Sequence, residues 1–214
     1  ILALLKVRNE VYALNRHTIE VFDNVGGQLF PFQRVEGAQV QRGAIGTRAC
    51  CTFLESVAFI GGGRNEAPSI WLISGSNAAR IATREIDLLL AEFTEEELSN
   101  ALVETRIDKG YKHLYIHLPT QTLVFDAAAT EIAGGPVWFT LTTGLLGDVQ
   151  YQARNLVWAY NRWNIGNPTN AQFGCLNETL SSHWGELNGW QFSTIIIYSG
   201  SKGVIFHELE LVAL

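Results

Sequence analysis

The chain has 214 residues, 47% apolar and 17% charged, a balance that builds a sizeable core and excludes an intrinsically disordered segment. With 15 basic against 21 acidic residues and a formal charge of −6, it lacks the field of Lys and Arg needed for a general grip on nucleic-acid phosphates. Three cysteines, two of them adjacent at Cys50 and Cys51, offer no disulfide framework and fit a reduced, intracellular folding environment.

In chain order, residues 2–36 read as four strands, LALLKV, EVYALN, TIEVF and LFPFQRV. Their alternation is imperfect, as expected of strands covered on both faces. Gly26 and Gly27 interrupt before the fourth strand, and Pro31 inside it suits an outer edge, where no ladder donor is missed. Residues 49–86 supply further short apolar runs, CCTFLESVAFIGG, SIWLIS and ARIATREI, with a turn at Glu55-Ser56, a break at Gly61-Gly62-Gly63 and a turn near Gly75. Thr94 followed by Glu97 is a capping box, which predicts a helix from Thr94 to about Val103. Leu98, Ala101 and Leu102 give that helix an apolar stripe to dock against the second or third unit, and its acidic cluster reads as a helix N-terminus. A third unit starts near Val103 and ends with VWFTLTT from Val137. Beyond Gly147 the regularity weakens. NLVWAYNRW opens like another hairpin, residues 161–189 are rich in Asn, Gly, Ser and Trp, and FSTIIIYSGSKGVIFHELELVAL supplies two more strands.

The most informative pattern is a recurrence. VYALNRHTIEVFD, residues 11–23, aligns without gaps on LYIHLPTQTLVFD, residues 114–126, an offset of 103 residues that preserves Tyr12 as Tyr115 and the closing Val-Phe-Asp. With one unit between the copies the period is roughly 50 residues, the range of propeller blades. The expected fold is therefore mainly β, a β-propeller-like array of four-stranded antiparallel blades with one inserted short helix. Residues 1–147 hold three blades, and 148–214 form an irregular fourth blade or the start of a further β region. A chain that starts at Ile1, contains no Met and carries a long apolar run at its end reads as a fragment of a longer protein. Its apolar stretch at 132–147 is broken by Gly134, Gly135 and Pro136, which rules it out as a regular membrane-spanning helix.

Candidate chemistry is sparse. His113 and His117 have HxxxH spacing, but in a strand four residues span about 13 Å, too far for one ion. No GxSxG elbow or catalytic cysteine context occurs. The glycines at 61–63 lack the Gly-Lys-Ser/Thr of a phosphate loop. Paired carboxylates are the main enzymatic alternative, because a propeller glycoside hydrolase acting on bacterial surface polysaccharide places acids around its axis, and Asp23, Asp126 and Asp148 are candidates. Asp23 and Asp126 recur in register, however, which favours a role within the blade, accepting turn amides, over the unlike roles that catalysis needs. Aromatics point to binding: Trp163, Trp184 and Trp190 lie in the irregular stretch as candidate protein-interface anchors, whereas Trp158, inside an apolar strand, reads as core.

The segments TIEVF, TFLESVAFIGG, APSIWLISG, ARIATREI, FTEEEL, HLYIHLPTQTLVFDAA and PVWFTLTTGLL, in that order, resemble the packaged-DNA stabilisation proteins, or tail hub proteins, of short-tailed enterobacterial phages. HLP followed by LVFDA, together with WFTLTTGL, is the most specific part, and the likeness covers residues 8–147 and continues more loosely beyond. The resemblance implies a β-propeller-like subunit of a homo-hexameric ring below the portal. That ring joins the portal adaptor after DNA packaging, helps close the channel and carries the tail needle and tailspikes. It implies a virion structural protein assembled in the bacterial cytoplasm, without cofactors, without sequence-specific nucleic-acid binding and with no catalytic motif to place on these residues. Because that family's proteins are longer, this chain corresponds to a central piece.

Overall fold

The computed structural model describes residues 1–146, 149–180 and 182–193. Asp148 and the two strands expected after residue 193 lie outside the described residues.

The first sheet is a meander of four antiparallel strands, β1 (Ala3–Val7), β2 (Glu10–Leu14), β3 (Ile19–Asn24) and β4 (Phe32–Arg34). The second has five: β5 (Gly43–Ala44), β6 (Cys50–Phe53), β7 (Ser56–Gly62), β8 (Ser69–Ser74) and β9 (Asn77–Arg80), with β5 and β6 both paired to β7. Two helices follow, α1 (Arg84–Leu90) and α2 (Glu95–Ser99). The third sheet is again a four-stranded meander, β10 (Leu102–Asp108), β11 (Tyr111–His117), β12 (Thr122–Asp126) and β13 (Val137–Leu141), with α3 (Ala127–Ala133) inserted before its last strand. A three-stranded sheet of β14 (Arg154–Ala159), β15 (Arg162–Gly166) and β16 (Phe173–Cys175) and a small hairpin of β17 (Ser182–His183) and β18 (Glu186–Leu187) complete the described residues. Strands β1, β6, β10 and β14 adjoin one another in that order, so successive sheets face each other in a β-propeller arrangement.

The 103-residue recurrence is a recurrence of register. Tyr12 stands opposite Val21, and Tyr115 opposite Val124. The connecting loops close alike: the Asn15 amide donates to Thr18 O at 2.8 Å, and the Leu118 amide to Gln121 O at 2.9 Å. The copies diverge at the preceding hairpin, where β10 and β11 run beyond the Arg106–His113 pair through Lys112 and Ile107 to Asp108 and Tyr111. Two-residue turns with left-handed backbone join many of these strands, as at Leu54-Glu55 (φ 49° and 57°) and Tyr160-Asn161 (φ 55° and 60°). Such primed turns follow the strands' own twist.

Each pair of successive sheets encloses its own core. Val7, Leu14 and Ile19 of the first meet Val57, Phe59 and Trp71 of the second. The alternate residues of the second sheet, Ala58, Ile60 and Ile70, meet Val103, Leu114, Ile116, Leu123 and Phe125 of the third. Tyr115 and Val124, on the opposite face of the third sheet, meet Tyr151, Ala153 and Ile165. Sheets two and three are thus covered on both faces, which accounts for their near-continuous apolar sequence. The other face of the first sheet carries Leu4, 63% exposed.

Several expectations are corrected. There are three short helices among the described residues rather than one. The run ending at Ile86 is not a strand to its end: β9 stops at Arg80, and α1 begins at Arg84 with Glu85 and Asp87 in its first turn and Ile86 and Leu90 buried one turn apart. In α3 the Asp126 carboxylate accepts the Ala129 amide at 3.0 Å, and Gly134 closes the helix at φ 71°. The capping box of α2 is present, with the Thr94 amide donating to Glu97 Oε2 at 2.8 Å and the Glu97 amide to Thr94 Oγ1 at 3.3 Å. That helix ends at Ser99, and Leu102 and Val103 already belong to β10. Gly61 and Gly62 are not a break but part of β7, paired with Ala44 and Gly43. A side chain at Gly61 would come within 1.9 Å of Gly43 O, so close backbone approach explains the glycine.

Candidate functional site

The three tryptophans singled out by sequence occupy different environments. Trp163 on β15 stands opposite Trp158 on β14, their rings edge to face with centroids 5.5 Å apart. The Asn164 side chain holds this hairpin by donating to the carbonyls of Val157, Ala159 and Arg162 at 3.4, 3.0 and 3.2 Å. Trp163 is half-buried, and its Nε1 finds no acceptor among the described residues. Trp158, read from sequence as core, is 52% exposed beside exposed Val157 and Tyr160. It lies on an edge hairpin with too little sheet above it to cover an indole. Trp184 sits in the β17–β18 turn at φ 53°, with its Nε1 donating to Gln152 O at 3.0 Å and its ring against Gly174, where a Cβ would meet it at 3.0 Å. It pins this hairpin onto the core and is half-buried there. Trp190 is 77% exposed, its ring tilted against Phe192 at 5.1 Å.

Beneath this surface the third sheet presents a polar and aromatic face. Glu104, Arg106 and Asp108 on β10 share it with Tyr111, His113, Tyr115 and His117 on β11. The rings form a continuous run: His113 to Tyr115 at 6.1 Å, Tyr115 to His117 at 6.2 Å, His117 to Tyr151 at 6.4 Å and Tyr151 to His183 at 5.1 Å. Tyr115 therefore separates the two histidines of the HxxxH spacing. Among the described residues no group of three His, Cys, Asp or Glu is placed to hold a metal ion. Glu104 is the organising acid, accepting the amides of Asn155 at 2.9 Å and Leu156 at 2.7 Å and lying 3.0 Å from His117 Nε2. The His117 Nδ1 faces Thr122 Oγ1 at 3.0 Å. Burial lowers the His117 pKa, with Glu104 opposing in part, and burial lowers that of His183. Burial also raises the Tyr151 phenol, which stays a neutral donor.

The recurring carboxylates do not converge. Asp126 caps α3 and lies 3.4 Å from His113 Nε2. Asp23, at the end of β3, is exposed opposite Gln33, and the turn amide expected of it goes instead to Asn24, whose Oδ1 accepts from Gly26 at 3.1 Å. The reason is local: β12 ends at its aspartate and turns into a helix, whereas β3 runs one residue further. On the second sheet Arg42 lies 4.2 Å over the Trp71 ring and is matched by Glu66, both contacts at 3.0 Å. What sequence reasoning missed is Glu104, Arg106 and Tyr151. Only the alternation of charged and aromatic residues along β10 and β11 signals that this face meets something polar.

Successive antiparallel sheets, each enclosing a shared core with the next, define a β-propeller. The chain belongs to the family described as bacteriophage P22 Gp10, β-propeller, whose model matches residues 1–181. It is 32% identical over 182 residues to the tail hub protein gp10 of Salmonella phage P22, across 83% of this chain and 38% of that protein. The chain thus corresponds to well under half the length of that relative.

Proposed function

We propose that the chain is the propeller portion of a phage tail hub, a virion component that acts through protein interfaces and not through catalysis. The observation that carries this is family membership across the propeller itself, with a relative that is a tail hub protein. The finer reading follows the resemblance: six copies form a ring assembled in the host cytoplasm. This ring joins the portal adaptor once DNA is packaged, helps close the channel and carries needle and tailspikes. Residues 1–147 serve as three blades of this ring and 148–214 as an irregular fourth. Trp158, backed by the half-buried Trp163, and Trp190 are the anchors best presented to a subunit or partner, because exposed indoles bury large area at small entropic cost. We include Trp184 as a third anchor, one that also holds the β17–β18 hairpin to Gln152. A net negative charge disfavours adhesion to DNA within a channel.

Electron microscopy of the full-length protein mixed with portal and adaptor tests this reading. A six-fold ring beneath the portal is expected, and a protein that stays monomeric and unbound overturns it. Changing Trp158 and Trp190 together to Ala is expected to leave the fold intact and weaken ring or tail assembly. Unimpaired assembly would remove both from the interface.

A further inference from the structure

Between the third sheet, the fourth sheet and the β17–β18 hairpin lies a cavity of about 350 Å³, within the range of about 300–1,000 Å³ typical of small-ligand sites. Its walls divide by chemistry. Ile165, Leu176 and Trp184 supply apolar surface, while Arg106, Tyr151 and His183 supply polar groups. Arg106 gives Nη2 to Asp108 at 2.9 Å, and its Nε has no acceptor among the described residues. A guanidinium has five N–H donors in a fixed fork, so the Asp108 carboxylate and the Tyr115 phenol, which also lies against it, leave capacity unused. The one acidic side chain lining the cavity, Glu178, is drawn to Lys109 Nζ at 2.7 and 2.8 Å and so is already neutralised. The cavity therefore combines a guanidinium that is paired with Asp108 yet has donors to spare, and a phenol donor, with aromatic and aliphatic surface.

We infer that this cavity is a binding site for a carboxylate carried on an apolar or aromatic body, the carboxylate on Arg106 and Tyr151 and the body against Ile165, Leu176 and Trp184. The inference stands whether or not the hub reading does. Such a group arrives either as a free acid or as the C-terminal residue of a peptide.

The cavity holds its own reporter. Cys175 lines it and is exposed, whereas Cys50 is buried, with its thiol pushed up to about 11 by burial. Alkylation of Cys175 by iodoacetamide, followed by peptide mapping in the full chain, reads occupancy, and an unlabelled Cys50 confirms that the fold is intact. Phenylacetate is expected to slow Cys175 alkylation several-fold and saturably, and phenylacetamide to leave it unchanged. A short peptide ending in a free Phe carboxylate that protects, where its C-terminal amide does not, assigns the site to a chain terminus. Protection by phenylacetate without protection by the peptide assigns it to a small acid. Arg106→Gln removes protection. If that variant also exposes Cys50, Ser182→Phe, which fills the cavity from its rim, tests the same point by abolishing the effect of phenylacetate. No slowing by either acid, or equal slowing by acid and amide, overturns the inference.

Discussion

On one face the third sheet meets the second through Val103, Leu114, Ile116, Leu123 and Phe125, and on the other it meets the fourth sheet and the segment leading into it through Glu104, Tyr115, His117 and Val124. The strands are the same and their residues simply alternate. The apolar face gains stability from area removed from water and tolerates some imprecision. The other face has a smaller apolar core, Val124 with Ala153 and Ile165, and its polar groups add little net energy because each buried donor must recover what it loses in water, but they permit one arrangement of their partners. One sheet thereby carries a strong joint on one side and a selective joint on the other.

The largest expected effect breaks the apolar side. Phe53→Ala removes a ring that lies edge to face on Phe125 at 6.3 Å and is 1% exposed. It should cost about 3–5 kcal/mol in urea unfolding, and a loss below about 1 kcal/mol would show that packing does not join these sheets. On the polar side, Glu104→Ala orphans the amides of Asn155 and Leu156 and should cost about 2–3 kcal/mol. The loss should be local: hydrogen exchange at those two amides should accelerate while β7 and β8 keep their protection. Uniform acceleration would mean that the two joints are one unit. Thr94→Ala touches the apolar side indirectly, through the helix that seats Leu98, and should cost about 1 kcal/mol. A variant as stable as the parent would remove the capping box from the account.

The smallest effect is a dependence on pH. Burial holds the folded pKa of His117 below its ordinary 6.5, so the native state binds fewer protons than the unfolded one. Its contribution is complete above about pH 6.5 and declines as pH falls from there toward the depressed folded value. Denaturation at about pH 7.5 and pH 5.5 should show weaker stability in acid, and His117→Asn should flatten the difference. A wild-type difference that persists in the variant would assign the slope to other groups.

Much of the fold was legible because local and tertiary signals agreed. Tyr12 and Tyr115 fall at the same register, with loops of equal length after them, so the recurrence visible in the letters was a recurrence of hydrogen bonds. The α1 helix was hidden because ARIATREI alternates well enough to pass for a strand, and only the i, i+4 pair Ile86 and Leu90 marks the change of period. The α3 helix was readable after the fact from Asp126, three alanines and Gly134. The site was less legible. A tryptophan in a strand departs from its expected burial, since Trp158 projects from its hairpin, while Trp184 in a turn folds back onto Gly174. Burial at such positions depends on what lies across the sheet, and that is a property of the assembled array.

The meander order of the first and third sheets has a bearing on time as well as space. Each is built from consecutive strands joined mostly by short loops, so its pairings need little chain beyond its own last strand. A nascent chain can therefore complete the first sheet, present its apolar face, and have it covered when the second emerges. Pulse-labelled refolding should accordingly protect β2 before β15, and simultaneous protection would argue for one concerted step. Synthesis in this order leaves an apolar face uncovered only for the interval needed to make the next sheet, and the selective polar joint is tested after the apolar ones, against neighbours already in place.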